Sequence, residues 1–343
     1  MTLTTERPGV YSNYDASAVV SGSSGGRPVG IAACAGSGEK GVPKLIHSAA
    51  EALSIFGPDS ETAAMAGLVK CLFQNGAPAV WAVAASVGSA ASDADYATAF
   101  EALDPKEVGV LVCDNTSLTV QQSMRESAEA ASAERRERIA CCAMAEDSSV
   151  EALTERAAGL CCERVVLTAG LHTAAAVAGV ISAETDPARP FNGAILSGVS
   201  SSRADSDAAI DTLIRGGVLP VETENGKTCI VRGVTTRTKT EGVPDTTYRE
   251  LNTILVIDAV IRSLREGLGR KFNRAKNNTQ TRGAIRSQVV VELEAKKAAQ
   301  IIDGYGAISV TQSESDRGLC LVEFEFAVTN GLNQIVISAH IQV

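Results

Sequence analysis

The sequence predicts an α/β middle domain followed by an α+β C-terminal domain of two helices and a small sheet. Three observations predict it. Apolar runs alternate with amphipathic stretches from residue 29 to residue 183, in the rhythm of strands covered by helices. Two helical stretches follow between residues 247 and 302. The apolar period then changes to two and keeps that period to the last residue.

The elements can be taken in order. Residues 1–27 are polar, contain Pro8-Gly9 and end in Ser21-Gly22-Ser23-Ser24-Gly25-Gly26, which by composition is an arm. Strands are expected at 29–35, 79–85, 108–113, 139–145 and 165–168, and Lys44-Leu45-Ile46 reads as extended. Helices are expected at 48–56, 61–74, 93–103, 118–132, 150–160 and 173–183. The periodicity does not give the strand order.

Thr247-Tyr248-Arg249-Glu250 reads as a capping box. Behind it Ile254, Ile257, Ile261, Leu264 and Leu268 recur at steps of three and four, one apolar stripe of a helix whose end Gly267 and Gly269 loosen. A second helix is expected at 281–302, with Ile285, Val289, Leu293 and Ile301 inward and Gly304 as its stop. Cys320, Val322, Phe324, Phe326 and Val328 then alternate with more polar residues as one half-buried strand. After Asn330-Gly331 the alternation resumes at Ile335, Ile337, Ala339, Ile341 and Val343. That last strand either folds back through the Asn-Gly turn or pairs with another molecule.

The order of parts over residues 247–310, followed by two alternating strands, resembles the C-terminal domain of contractile tail sheath proteins of phages, phage-tail-like bacteriocins and related injection systems. Four earlier segments resemble the sheath middle domain in family order: GEKGVPKLIHSAAEALSIFG, LFQNGAPAVWAV, TAAAVAGVISAETDPARPF and LIRGGVLPVETENGKTCIVRGVTTRT. Pro8-Gly9-Val10-Tyr11 resembles the family's opening element. The resemblance divides the chain into an N-terminal strand-exchange arm (1–27), a middle domain (28–235), a C-terminal sheath domain (236–329) and a C-terminal exchange arm (330–343). It implies that the small sheet is completed by terminal strands exchanged between subunits, with Val10, Tyr11, Ile335, Ile337 and Ile341 as anchors.

Composition sets bounds. The chain has 343 residues, 45% of them hydrophobic but only 4% aromatic, which suits small-residue packing better than an aromatic-lined cavity. A formal charge of −9 argues against nucleic acid or anionic membranes as partners of the whole molecule. No stretch approaches the roughly 20 apolar residues that span a bilayer, and the first residues lack a signal core. The nine cysteines include the adjacent pairs Cys141-Cys142 and Cys161-Cys162 but no C-x-x-C spacing, so they read as small buried thiols made in a reducing cytoplasm.

The motifs exclude more than they assign. Gly36-Ser37-Gly38-Glu39-Lys40-Gly41 satisfies G-x-G-x-x-G after a strand, but Val42-Pro43 follows where a phosphate-binding helix must start, so a glycine turn is the better account. On that motif alone rests a nicotinamide oxidoreductase reading. His47, His172 and His340 are far apart and carry no nucleophile motif, so no enzyme activity, metal or cofactor is expected.

One signal is local. Between residues 262 and 286 lie Arg262, Arg265, Arg270, Lys271, Arg274, Lys276, Arg282 and Arg286 against one acid, Glu266. The block lacks the interleaved aromatics of single-strand nucleic-acid binders. By resemblance, Arg270, Lys271, Arg274, Lys276, Arg282 and Arg286, with Lys296 and Lys297, would meet an acidic surface of the inner tail tube or of a neighbouring subunit. The implied partners are other copies of the chain in rings of six, the tube protein, and baseplate and tail-terminator proteins, with no nucleic acid and no membrane insertion. Assembly would take place in the bacterial cytoplasm, ahead of a place in a virion tail or a phage-tail-like particle. The competing class is a soluble α/β binding module whose C-terminal sheet closes on itself and whose basic face takes a partner, nucleic acid included.

Overall fold

A computed structural model describes residues 26–315 and 317–333. The described residues open with β1 (Val29–Ala35), β2 (Lys44–Ile46), α1 (Ala49–Phe56), α2 (Met65–Gln74) and β3 (Val80–Val87). The alternation runs on through α3 (Asp93–Leu103), β4 (Val110–Cys113), α4 (Leu118–Ala133), β5 (Ile139–Met144), α5 (Val150–Leu160), β6 (Val165–Ala169) and α6 (Leu171–Ala183). Serines 48, 92, 149 and 206 each cap a helix by accepting a hydrogen bond from the backbone N–H three residues on.

The six strands form one sheet in the order β2-β3-β1-β4-β5-β6. β2 runs antiparallel to β3 at one edge, and every other pairing is parallel. Without β2, this is a doubly wound order whose switch point lies between β1 and β4. Strand alternation splits the core into two layers. Val29, Ile31, Ala33 and Ala35 point toward α1, α2 and α6, while Ala32 and Cys34 point toward α3, α4 and α5. Helix α6 is buried almost all round, and Gly179 lets it approach α2: an added Cβ would stand 2.8 Å from Leu72 O and Asn75 Cβ.

Beyond α6 come β7 (Ile195–Leu196), α7 (Asp207–Arg215), β8 (Val221–Glu224) and β9 (Lys227–Ile230), the strands forming a three-stranded antiparallel sheet in the order β7-β9-β8. A short ribbon pairs β10 (Lys239–Thr240) with β11 (Val243–Pro244). The outer edge of β6 is covered: Leu219 N–H donates to Leu167 O, and Thr236 N–H to Val165 O, each at 2.8 Å.

The last part contains α8 (Leu251–Phe272), α9 (Thr279–Ala298), β12 (Ile302–Tyr305), β13 (Ser309–Gln312), β14 (Cys320–Glu323) and β15 (Phe326–Val328). β12 pairs with β15 and β13 with β14, both antiparallel, and Gly306 N–H donates to Glu325 O between them at 2.8 Å. The result is one bent two-stranded ribbon. Its inner face rests on Val256, Val260 and Leu264 of α8 and Val289 and Leu293 of α9.

Several local expectations are corrected. The second helix starts at Met65, because residues 60–63 close a small bridge. The capping box does not form: Thr247 hydrogen-bonds Asp245, and Glu250, bound to Arg232, sits at the N-cap position itself. Helix α8 runs through Gly267 and Gly269, and Gly267 makes room for α9, since a Cβ there would lie 2.7 Å from Glu292 Oε1. Of the expected stripe, Leu264 and Leu268 pack on the ribbon core as expected, together with Val256 and Val260, while Ile254 lies on the middle core and Ile261 is exposed. Helix α9 ends at Ala298, so Gly304 lies in β12 and stops no helix. The single strand expected at 320–328 is broken at Phe324-Glu325 where the ribbon bends, although its inward residues keep their alternation.

Candidate assembly surfaces

The first candidate surface is the ribbon. Among the described residues neither of its outer edges carries a further strand. Val310, Val322, Phe324, Phe326 and Val328 face the helices yet stay only partly buried, with Phe324 and Phe326 stacked at 6.0 Å between ring centres. On the other face Leu319 and Leu321 are exposed. Such edges, with half-covered apolar side chains, invite strand addition.

The two ends of the described chain are held by the last turn of α6 and by the segment that follows it. Ser182 Oγ donates to Arg27 O, and Arg27 N–H donates to Ser182 O at 3.3 Å. At the other end Asn192 Nδ2 donates to Asn333 Oδ1 at 2.7 Å. The proposed anchors Val10, Tyr11, Ile335, Ile337 and Ile341 lie outside the described residues, as does His340.

The basic block divides in three. Arg262 and Arg265 reach the middle domain, where both oxygens of Glu137 take them, at 3.3 and 2.6 Å. Arg282 turns inward, donating to Asn277 Oδ1 at 2.9 Å, and Lys271 bonds Gln288. Arg270 pairs with Glu266 on the surface at 3.2 Å. Arg274, Lys276, Arg286, Lys296 and Lys297 have no side-chain partner among the described residues. Arg286 and Lys297, about three turns apart, fall on one face of α9.

Charged pairs fix α8 against the middle domain. Arg164 Nη1 and Nη2 grip Asp258 at 2.8 and 2.9 Å, with both side chains nearly buried. Burial alone would lower the pKa of Arg164, but Asp258 holds it above its ordinary value. Burial would likewise raise Glu137, but the Arg265 hydrogen bond holds it below its ordinary value. Arg237 binds Glu163 at 2.6 Å and stacks on Tyr248. Sequence reading missed Glu137, Arg164 and Asp258. An acid at 258 inside the apolar run of 254–260 was the available signal, because a carboxylate at that place needs a partner.

The crevice at the switch point is filled by the chain itself. Asp114, just past β4, accepts the Cys34 N–H at 2.8 Å and the Tyr96 hydroxyl at 2.5 Å. In the glycine loop, the Gly36 and Ser37 N–H groups both donate to Phe56 O at 2.9 Å, and Gly41 N–H to Ala84 O. Those amides, which a phosphate would need, are therefore occupied, while φ of +105° at Gly38 and +71° at Gly41 shows why glycine stands there. His47 and His172 are exposed on separate elements. The described residues hold no group of three or more His, Cys, Asp or Glu that could bind a metal, and no helix long and apolar enough to cross a membrane. The thiols are free, and burial pushes Cys71 up to about 11 and Cys113 and Cys162 up to about 12.

Comparison with known proteins places this arrangement. Residues 89–236 match the model of the phage tail sheath protein central domain, and residues 243–342 that of the phage tail sheath C-terminal domain. No curated protein matches the chain. Among solved structures, the helical sheath of the anti-feeding prophage in its contracted state shares the fold with a TM-score of 0.71 at 15% identity, over 98% of this chain and 99% of that one. The PVC sheath complex, from an extracellular contractile injection system in its contracted state, gives 0.69 at 15% identity, over 100% and 99%. The crystal structure of the sheath tail protein from Desulfitobacterium hafniense gives 0.69 at 10% identity, over 93% and 100%. With both domain models matched in order and the fold shared along nearly the whole chain, the chain belongs to the contractile tail sheath protein family.

Proposed function

We propose that copies of this chain polymerise as stacked rings of six around an inner tube, and that the lattice contracts to drive the tube through a target envelope. The half-buried apolar face of the two-stranded ribbon, whose edges carry no further strand among the described residues, supports the reading. Residues 1–27 and 330–343 act as arms that add strands to neighbouring ribbons. Val10, Tyr11, Ile335, Ile337 and Ile341 fill alternate side-chain pockets there. Residues 28–235 and 236–329 move as the bodies these arms connect. Main-chain hydrogen bonds between subunits let the bodies rotate without losing connection. The energy of contraction lies in the interfaces, so no nucleotide and no catalysis are required.

The basic residues meet the tube or a neighbouring subunit. Arg274, Lys276, Arg286, Lys296 and Lys297 suit this best, since they have no ion pair among the described residues; Arg270, Lys271 and Arg282 contribute after exchanging their present partners. Exposed pairs of this kind are individually weak and salt-sensitive, which suits a grip that must be released. Baseplate and terminator proteins bound the polymer, and assembly takes place in the bacterial cytoplasm.

Electron microscopy of the purified full chain tests the proposal, with a variant lacking residues 333–343 beside it. Hollow tubes from the full chain and folded single particles from the variant are expected. If the variant unfolds and the full chain never assembles, the sheet closes within one chain and the binding-module reading replaces this one.

A further inference from the structure

Where β1, the turn before β5 and helix α8 meet, the surface holds a cleft of about 460 Å³. Arg27, Arg135, Arg136, Arg262 and Arg265 line it. Three of these guanidiniums have carboxylate partners: Arg136 pairs with Glu134, and Arg262 and Arg265 share the single carboxylate of Glu137. Arg27 and Arg135 have none among the described residues. The only side-chain hydrogen bond of Arg27 among the described residues is a long one, 3.5 Å from Nη2 to Val108 O. Arg135 has no side-chain partner among the described residues, and it holds a left-handed backbone at φ 71°, where a non-glycine residue is uncommon.

The cleft is built for Arg27. Gly109 lies so close that a Cβ there would stand 2.6 Å from Arg27 Cβ, so only glycine leaves the arginine its place. Burial, with the charge of Arg262 beside it, lowers the pKa of Arg27 to about 10, which keeps it charged at neutral pH at an energetic cost. The charges of Glu137 and Asp258 offset that cost in part, but neither forms an ion pair with Arg27 among the described residues; on the cleft wall Glu266 pairs with Arg270, and Glu107 is exposed with no ion pair among the described residues.

We propose that this cleft is a binding site for a small multivalent oxyanion of the phosphate or sulfate class. A tetrahedral anion accepts several guanidinium N–H bonds at once and relieves the repulsion between Arg27 and Arg262. Bound there, it links β1, the turn before β5 and α8, and so stiffens the seam between the two domains. The site does not depend on polymerisation.

Titration calorimetry tests it, with potassium phosphate added to the full chain and potassium chloride at matched ionic strength as the control. Saturable binding of phosphate and of sulfate, with none of chloride, is expected. Arg135→Ala changes an exposed side chain, so the fold should persist, and binding should weaken roughly tenfold, the loss of one charge-assisted contact. Arg27→Ala should weaken it at least as much, and Glu107→Gln should strengthen it by removing a competing carboxylate. Equal heats from chloride and phosphate, or affinities unchanged in both Arg135→Ala and Glu107→Gln, would overturn the proposal. Binding of a glutamate-rich peptide where phosphate fails would also overturn it and make the cleft a docking site for an acidic chain.

Discussion

The six-stranded sheet and the two-stranded ribbon follow the same alternation rule and reach different ends. In β1 all seven residues are buried, because helices cover both faces and strands cover both edges. In the ribbon the alternation is as regular, yet Phe324, Phe326 and Val328 remain partly exposed, because helices cover one face and nothing among the described residues covers the edges. Composition does not separate the two regions; the number of layers does. Among the described residues, one region is finished and the other has apolar surface left to bury.

The sharpest test of that contrast removes one aromatic from each region. Phe100, 2% exposed between α3 and the sheet, should cost about 3–5 kcal/mol as Phe100→Ala, by lost burial plus the cavity left behind. Phe326→Ala, from a half-covered site, should cost the isolated chain about 1–2 kcal/mol, since much of that ring is still in water. In tube formation the order should reverse, with Phe326→Ala blocking assembly at concentrations where folded protein persists. Urea unfolding and electron microscopy of the two variants read both effects. Equal destabilisation of the isolated chain would mean that the ribbon is already closed.

A second test bears on how the two regions are joined. Asp258→Ala leaves the Arg164 guanidinium buried and unpaired, and should cost roughly 3 kcal/mol. If the seam is the weak point, α8 and the ribbon should lose hydrogen-exchange protection before the sheet does. A single cooperative loss across both regions would show that they fold as one unit.

How legible each region was in the sequence follows the same division. The sheet could be read strand by strand, because fully buried strands and capped helices leave local signals: apolar runs at 29–35 and 139–144, and serines at 48, 92 and 149. Strand order was not legible, since it depends on contacts between distant segments. In the C-terminal part, period and helix count were visible, and Leu264 and Leu268 of the α8 stripe face the ribbon as expected, but Val256 and Val260 were missed and Ile261 is exposed. That helix serves two cores: Leu251 and Ile254 pack on the middle domain, and Val256, Val260 and Leu264 on the ribbon. A single-face reading therefore averages two faces. The basic block looked like one surface because its counter-charge, Glu137, lies more than a hundred residues earlier. The anchors at the two ends stay a matter of resemblance, as pairing between molecules leaves no mark on one chain beyond alternation.

The smallest expected effect lies at the switch point, inside the finished region. Asp114 is half-buried, and that burial raises its pKa above the ordinary carboxylate value, although hydrogen bonds from Tyr96 and from the Cys34 N–H oppose the rise. A group whose folded pKa is raised binds its proton more tightly in the folded chain. Its contribution is therefore most favourable at or below the ordinary carboxylate range, and stability falls as pH climbs from there toward the raised value. Glu137 and Glu163 have the opposite sign: lowered in the fold by Arg265 and Arg237 against the pull of burial, they contribute stability above the ordinary range and lose it as pH falls. Asp114→Asn keeps an oxygen for the Cys34 N–H and removes the ionisable group. Compared with the parent by urea midpoints from about pH 4 to about pH 8, the variant should gain relative stability as pH rises. The gain should level off once Asp114 is ionised in both states of the parent, and the loss at acid pH from Glu137 and Glu163 should be the same in both proteins. A parent that gains on the variant with rising pH would show that the Tyr96 and Cys34 hydrogen bonds outweigh burial, making the filled crevice a source of stability rather than a cost.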